Sequence, residues 1–206
     1  MAEPRRWVYR DAGRLAGWTQ WVLRLAAAVS AAAMLLVWLR GFGTGQAGLV
    51  EAGVLIAQFA LFVAAAIATL CWIYRANANA HALGAADMMV SPGWAVGWFF
   101  VPLMNLAMPF IAVREMWKAS ANPKDWQLEP APAAILVWWL FWLASGIAGM
   151  IGFRLSLELG KAAGPAAETS YFVSDLAFIP AALLLAWIIG RIQAMQSRAV
   201  PVGVFA

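Results

Sequence analysis

Charged residues are scarce in this sequence. Asp, Glu, Lys and Arg make up 12% of its 206 residues, whereas apolar residues make up 64%. Soluble globular domains hold roughly 25% charged and about 45–50% apolar residues. Because the mean hydropathy is +0.75, the apolar side chains are too many for one small core. This composition excludes an ordinary soluble domain.

Cysteine and histidine are almost absent. The single cysteine, Cys71, excludes an intrachain disulfide and any Cys-x-x-Cys pair. The single histidine, His81, has only Asp87 and two asparagines near it, whereas transition metals require two or more His, Cys or carboxylate ligands. We therefore expect no metal and no cofactor. Nucleophile elbows, H-E-x-x-H helices and phosphate-binding loops are also missing, so enzymatic activity is less expected than binding.

Long apolar runs are abundant instead. Four of them have about 18 or more mainly apolar residues, which is enough to cross about 30 Å of hydrocarbon. They are residues 22–39, 49–74, 133–153 and 172–189. We predict an all-α, polytopic helical membrane protein, with residues 1–206 forming a single integral membrane domain. Its 13 Trp residues suit rings at headgroup depth or packing between helices.

The flanks of these runs are basic. The net charge is +4, but the basic residues are scattered near the ends of the runs, which favours contact with anionic lipids over nucleic acid. Residues 1–21 mix arginine with aromatic residues and are predicted to form an interfacial helical segment, the alternative being a basic tail. A polar helix extension, residues 75–90, follows the second span and is expected to stop at Gly84. Residues 154–170 are predicted to form a polar loop.

Prolines interrupt a further hydrophobic segment, residues 94–113. Pro102 and Pro109 each remove a backbone donor, so the segment is predicted to be broken or re-entrant instead of a straight fifth span. Irregular backbone at membrane depth must be buried in protein or line a wet cavity. Asn105, between the two prolines, is the expected partner for freed carbonyl groups. A surface helix and linker, residues 114–132, follow.

The distribution of positive charge favours the re-entrant path. A full crossing would leave eight Lys and Arg residues inside and six outside. A re-entrant segment leaves only Arg40, Arg154 and Lys161 of the 14 outside. The positive-inside rule therefore predicts four full spans, with both termini in the cytoplasm.

Polar residues around the broken segment would then lie near the cytoplasmic face. The predicted binding residues are Arg75, Asn79, Asn105, Arg114, Glu115 and Trp117. Several alternatives remain open: Arg75 anchors the topology, Arg75 and Glu115 form a buried ion pair, or Arg75, Asn79 and Arg114 bind an anionic headgroup.

Three secondary polar candidates complete the set. Gln58 suits a hydrogen bond between helices, and His81 lies on the polar extension. Asp175 and Glu51 are acidic residues near the starts of spans, where proton coupling and simple solvation at a helix end are both possible roles.

The stretch from Trp72 to Ser120 is similar to a family of bacterial membrane proteins described as domain of unknown function 4328. The similarity rests on the positions Trp72, Arg75, Asn79, Leu83, Pro92, Trp98, Pro102, Asn105, Pro109, Glu115, Trp117 and Ser120. The resemblance implies a bacterial membrane setting and assigns no reaction and no residue roles.

The resulting hypothesis is a small multi-pass protein of the bacterial inner membrane. It acts as a binding or assembly module with a cytoplasm-facing polar cavity, with membrane lipids and a second copy or another protein as partners. The alternatives are a small-solute transporter or channel subunit and a lipid-modifying membrane enzyme.

Overall fold

A computed structural model describes residues 7–42, 48–159 and 164–199. About 84% of the described residues are helical and none of them forms a strand, which confirms the all-α prediction. In chain order the described α-helices are α1 Gly13–Arg40, α2 Leu49–Ala82, α3 Pro92–Gly97, α4 Met108–Ala121, α5 Ala133–Leu159 and α6 Gly164–Ala199.

Four of these helices, α1, α2, α5 and α6, are long and apolar enough to cross a membrane. Each contains one of the four predicted apolar runs. Both α5 and α6 also extend into residues 154–170, so the predicted polar loop there is wrong at both ends. Helical hydrogen bonds are local, so a helix does not have to stop where its side chains become polar.

The first span shows no boundary near residue 21. Helix α1 begins at Gly13 and continues to Arg40, so residues 13–21 and 22–39 belong to one helix. Proline, which would break the intrahelical hydrogen bonds, is missing from this range. The interfacial placement of residues 1–21 stays a prediction, and residues 1–6 lie outside the described part.

Helix α2 ends two residues before Gly84, whose φ of +103° is accessible to glycine and strained for other residues. The amide of Gly84 donates to the carbonyl of His81, and the amide of Ala85 donates to that of Ala80, each at 3.1 Å. This pair of bonds is a Schellman motif. Ala80 and Ala85 are buried in one apolar cluster with Trp126, so packing supports the predicted stop.

Residues 94–113 do not form one rod. Helix α3 gives way to a 3₁₀ turn at Trp98–Phe100, and a second 3₁₀ turn precedes α4. Between the two turns, Leu103 has a φ of +66° and the amide of Met104 donates to the carbonyl of Pro102 at 2.8 Å. This is the rarer, strained type of γ-turn. The re-entrant path through the bilayer stays a prediction.

The chain divides into two compact units. The first comprises Met1–Gln20, Ala66–Ile135 and Trp187–Ala206, and the second comprises Trp21–Ala65 and Leu136–Ala186. All four long helices contribute residues to both units. The prediction of a single integral membrane domain is not decided by this division and stays a prediction.

The first unit has a closely packed apolar core. Its fully buried side chains include Trp72 of α2, Met116 of α4 and Ile192 of α6. Trp117 of α4 stacks on Trp187 of α6, with ring centroids 5.5 Å apart. Gln196 of α6 also donates to the carbonyl of Ala76 of α2 at 2.8 Å and to the hydroxyl of Ser120 of α4 at 3.0 Å. Contacts of α6 therefore hold α2 and α4.

In the second unit, α5 and α6 approach closely where both present small residues. A Cβ added to Gly149 would lie 3.1 Å from the hydroxyl oxygen of Ser174, and one added to Gly152 would lie 3.1 Å from the ring of Tyr171. The hydroxyl of Ser174 also donates to the carbonyl of Ser145 at 2.9 Å. Small residues that let backbones meet are a common basis of helix association in membranes.

Candidate functional site

The loop between α2 and α3 is held by buried polar side chains of the first unit. The carboxylate of Glu115 accepts hydrogen bonds from the amides of Met89 and Val90, each at 3.1 Å. Asn77 donates its side-chain amide to the carbonyl of Val90 at 3.2 Å. Both backbone groups of Val90 are therefore bonded, one to α4 and the other to α2. These bonds fix the backbone directly before α3.

The surroundings of Glu115 act on its pKa in two opposite directions. Burial raises the pKa of Glu115, and the two amide donors oppose this rise without cancelling it. The alternative ion pair between Arg75 and Glu115 is not formed among the described residues. The carboxylate of Glu115 instead accepts the two loop amides. The sequence pointed to Glu115 but not to its partners.

Asn79 binds the backbone of the N-terminal segment. Its side-chain oxygen accepts the amide of Arg10 at 3.1 Å, and its side-chain nitrogen donates to the carbonyl of the same residue at 2.9 Å. The side chain of Asn79 has no exposed surface. His81, in the last turn of α2, stacks on Trp7 with ring centroids 6.1 Å apart. Both residues therefore pack the chain that precedes α1.

The other predicted residues are dispersed. The side-chain oxygen of Asn105 is buried without a hydrogen-bond partner. The expected bond to a freed carbonyl would be donated by the side-chain NH₂ group of Asn105, and the described residues show no such bond. Arg114 is exposed on α4, and Trp117 is committed to its stack on Trp187. Within the described part of the chain, no hydrogen bond joins Arg75, Asn79 and Arg114.

Arg75 lines an open groove of about 500 Å³ in the first unit. The groove is lined by Leu15, Leu70, Cys71, Tyr74, Arg75, Gly93 and Val96. An adjoining groove of about 620 Å³ shares Tyr74 and Gly93 and adds Trp7 and Trp94. Among the described residues, no carboxylate forms an ion pair with Arg75. A half-buried guanidinium with mainly apolar walls is thus available to an anion.

A second cavity, of about 430 Å³, lies within the second unit. Gln58 of α2 donates to Asp175 of α6 and, at 3.0 Å, to the hydroxyl of Ser30 of α1. These bonds agree with the predicted interhelical role of Gln58. Two turns away along the helices, Arg40 pairs with Glu51 and Glu168.

Ser30, Arg40 and Glu168 were missed as site residues by the sequence analysis. One usable signal exists: Glu51 precedes Gln58 by seven positions, and Glu168 precedes Asp175 by seven. That spacing puts both members of each pair on one face of a helix, two turns apart. The helical spacing of Glu168 and Asp175 could not be used, because Glu168 was predicted to lie in the loop of residues 154–170.

The described residues bring no group of three or more His, Cys, Asp and Glu side chains into an arrangement that fits a metal ion. Their chemistry is that of a scaffold of buried hydrogen bonds and of cavities whose mainly apolar walls carry a few polar side chains.

These helices define an all-α, polytopic membrane protein. A family model described as "Domain of unknown function (DUF4328)" matches residues 45–194, which is well over half of the chain, and the protein belongs to this family. A search of curated proteins and a search of solved structures found no match.

Proposed function

We propose that this protein is a lipid-binding module of the bacterial cytoplasmic membrane, which holds an anionic headgroup at Arg75. The observation that carries the proposal is the Arg75 groove: a guanidinium stands among mainly apolar walls, and no carboxylate of the described chain neutralises it. Because guanidinium groups bind phosphate through two parallel hydrogen bonds, a phospholipid headgroup matches this site.

The walls of the groove support a lipid over a free anion. Tyr74 joins the Arg75 groove to the adjoining one, which Trp7 and Trp94 line. Aromatic rings of this kind prefer the depth of the headgroups, where one edge is wet and the other is apolar. Leu15, Leu70 and Val96 would then contact the upper part of an acyl chain.

The proposed topology puts this groove on the cytoplasmic side. The charge distribution favours four spans with cytoplasmic termini. The tip of the broken segment is apolar and exposed: Phe100 is 71% and Leu103 77% exposed. A hydrophobic tip next to a strained turn suits a segment that enters the acyl region and returns.

The proposal assigns different roles to the predicted binding residues. Asn79, Glu115 and Trp117 hold the scaffold, since their polar groups or rings are bonded within the first unit. Arg75 binds the headgroup. Arg114 is exposed on α4 and is a second candidate contact for the phosphate layer.

Replacing Arg75 tests this function. We expect Arg75→Ala to weaken binding of phosphatidylglycerol by about tenfold or more, because a charge-assisted hydrogen bond contributes about 1.5–3 kcal/mol. Arg75→Lys keeps the charge, loses the two-bond geometry and should show an intermediate loss. Native mass spectrometry of the detergent-purified protein, titrated with phosphatidylglycerol or phosphatidylcholine, measures both affinities.

Arg191→Ala is the matched control, because Arg191 is an exposed arginine near the end of α6 and does not line the groove. Arg114→Ala in the same titration decides whether that residue contributes. Equal phosphatidylglycerol binding by Arg75→Ala, Arg191→Ala and the unchanged protein would contradict the proposal. So would equal affinity of the unchanged protein for the two lipids.

A further inference from the structure

Residues 7–12, named here the N-terminal strap, lie before α1 and form no helix or strand, yet side chains of α2 and α6 hold them in place. Asn79 of α2 binds both backbone groups of Arg10, the amide at 3.1 Å and the carbonyl at 2.9 Å. The carboxylate of Asp11 accepts the side-chain amide of Gln193 of α6 at 3.2 Å. The strap is therefore attached to two helices of the first unit.

The first residue of the strap forms a wall of the groove next to Arg75. Trp7 stacks on His81 of α2, and it lines the groove of about 620 Å³ together with Tyr74 and Trp94. This groove shares Tyr74 with the Arg75 groove. A headgroup that extends from Arg75 past Tyr74 would therefore contact Trp7, but only while the strap is docked.

The strap is held mainly by polar bonds and buries little apolar surface. Within it only Ala12 is buried, Trp7 and Tyr9 are half-buried, and Val8 is 70% exposed. Hydrogen bonds within a protein replace hydrogen bonds to water, so their net contribution to stability is modest. Segments with few buried apolar contacts open at a lower free energy than the core does. The strap can therefore leave its place without unfolding the long helices.

We propose that docking of the N-terminal strap completes the headgroup site at Arg75, so that an anionic phospholipid and the docked strap stabilise each other. This coupling rests on the proposed function, the binding of a headgroup by Arg75. A ligand shifts a two-state equilibrium only by the difference between its affinities for the two states. The contact with Trp7 supplies this difference, because it exists in the docked state alone. Since such coupling is reciprocal, a change that loosens the strap must also weaken lipid binding.

Hydrogen exchange of the unchanged, full-length protein in detergent measures docking directly. The amide of Arg10 is bonded to Asn79 only while the strap is docked, so its exchange rate follows the docking equilibrium. Saturating phosphatidylglycerol should slow this exchange about fivefold or more, the lower end of the usual coupling between two sites. Phosphatidylcholine at the same concentration is the control and should slow it less.

Two substitutions of Asp11 test the coupling from the side of the strap. Asp11 lines neither groove, and its carboxylate also accepts the amide of Gly13 at 3.0 Å. Asp11→Ala removes a negative charge, which by itself would strengthen binding of an anionic lipid. Because it also removes the bonds that hold the strap, we expect it to weaken phosphatidylglycerol binding about fivefold in the native mass spectrometry titration. Asp11→Asn, the conservative variant, removes the same charge but keeps an oxygen acceptor, so it should restore binding.

The results separate the strap from the proposed function of Arg75. If phosphatidylglycerol binding requires Arg75 but leaves exchange at Arg10 unaltered, the coupling is overturned and the headgroup site stands. Equal lipid affinity of folded Asp11→Ala and Asp11→Asn proteins would overturn the coupling in the same way. If Asp11→Ala does not fold, the exchange measurement on the unchanged protein still decides. Phosphatidylglycerol binding that is unaffected by Arg75→Ala would overturn both the proposed function and the coupling.

Discussion

At the residue scale, Glu115 illustrates how this protein uses its few charges. It is 8% exposed, and its carboxylate stands in for the backbone acceptors that the amides of Met89 and Val90 would have in a helix or sheet. Buried amides must be bonded, since an unsatisfied one costs about 1–3 kcal/mol. The buried carboxylate of Glu115 therefore satisfies two backbone amides of the first unit that would otherwise lack an acceptor.

The titration of Glu115 gives a prediction with a definite sign. Because burial raises its pKa above the ordinary 4.5, the folded protein binds this proton more tightly than the unfolded chain does. The stabilisation from this group is complete below pH 4.5 and is lost as the pH rises through the raised pKa. The melting temperature of the unchanged protein should therefore fall relative to that of Glu115→Gln across this window.

Intrinsic tryptophan fluorescence in detergent, from about pH 4 to about pH 8, measures both melting temperatures. Glu158→Gln is the control for the substitution itself, because it makes the same change in a side chain of α5 that is 68% exposed. A difference between Glu115→Gln and the unchanged protein that is constant over the whole range would refute the assignment.

At the scale of the element, the end of α2 controls how the polar extension meets the following loop. The Schellman bonds at Gly84 turn the chain so that Ala85 packs on Ala80, next to Trp126. The indole of Trp126 also donates to the carbonyl of Ala86 at 2.8 Å. The end of α2 and the packing of Ala85 on Ala80 therefore depend on the positive φ of Gly84.

Gly84→Ala should reduce the free energy of unfolding by about 1–2 kcal/mol, because a side chain makes this positive φ strained. Gly93→Ala is a closely matched control. A Cβ at either position would meet nothing within 4 Å, and only Gly84 has a positive φ. Gly93→Ala should be neutral or slightly stabilising. Equal destabilisation of the two variants in equilibrium unfolding would show that backbone strain is not the cause.

At the scale of the whole molecule, the path of residues 94–113 decides the topology. A chain with four full spans keeps both termini on one side, whereas a fifth crossing separates them. The two paths also differ in the side on which residues 122–132 emerge relative to the N-terminus: the same side for the re-entrant path and the opposite side for a fifth crossing.

Cysteine labelling distinguishes the two paths. In a Cys71→Ser background, Lys124→Cys should react only from the cytoplasm and Glu158→Cys only from the periplasm, because α5 alone separates them and the positive-inside rule puts Lys124 inside. Intact cells and inverted vesicles, treated with a membrane-impermeant maleimide, provide the measurement. Labelling of Lys124→Cys from the periplasm would disprove the re-entrant path.

Most of the elements were predictable. The four spans follow from runs of apolar residues, and the interruption follows from Pro102 and Pro109, because hydrophobicity and the loss of a backbone donor act over a few residues. The stop at Gly84 was predictable for the same reason. The polar loop at residues 154–170 was wrong at both ends, since polarity does not end a helix whose backbone bonds are already satisfied.

The sequence by itself determined where the chain becomes helical, which helices are apolar enough for a membrane and where the regular backbone breaks. Only the tertiary structure decided what the polar side chains do. Asn79 binds a backbone 69 positions away, and Gln58 binds a carboxylate 117 positions away. Helical bonds and hydrophobic runs are local and periodic, whereas a buried polar group is satisfied by whichever distant group the packing brings within about 3 Å.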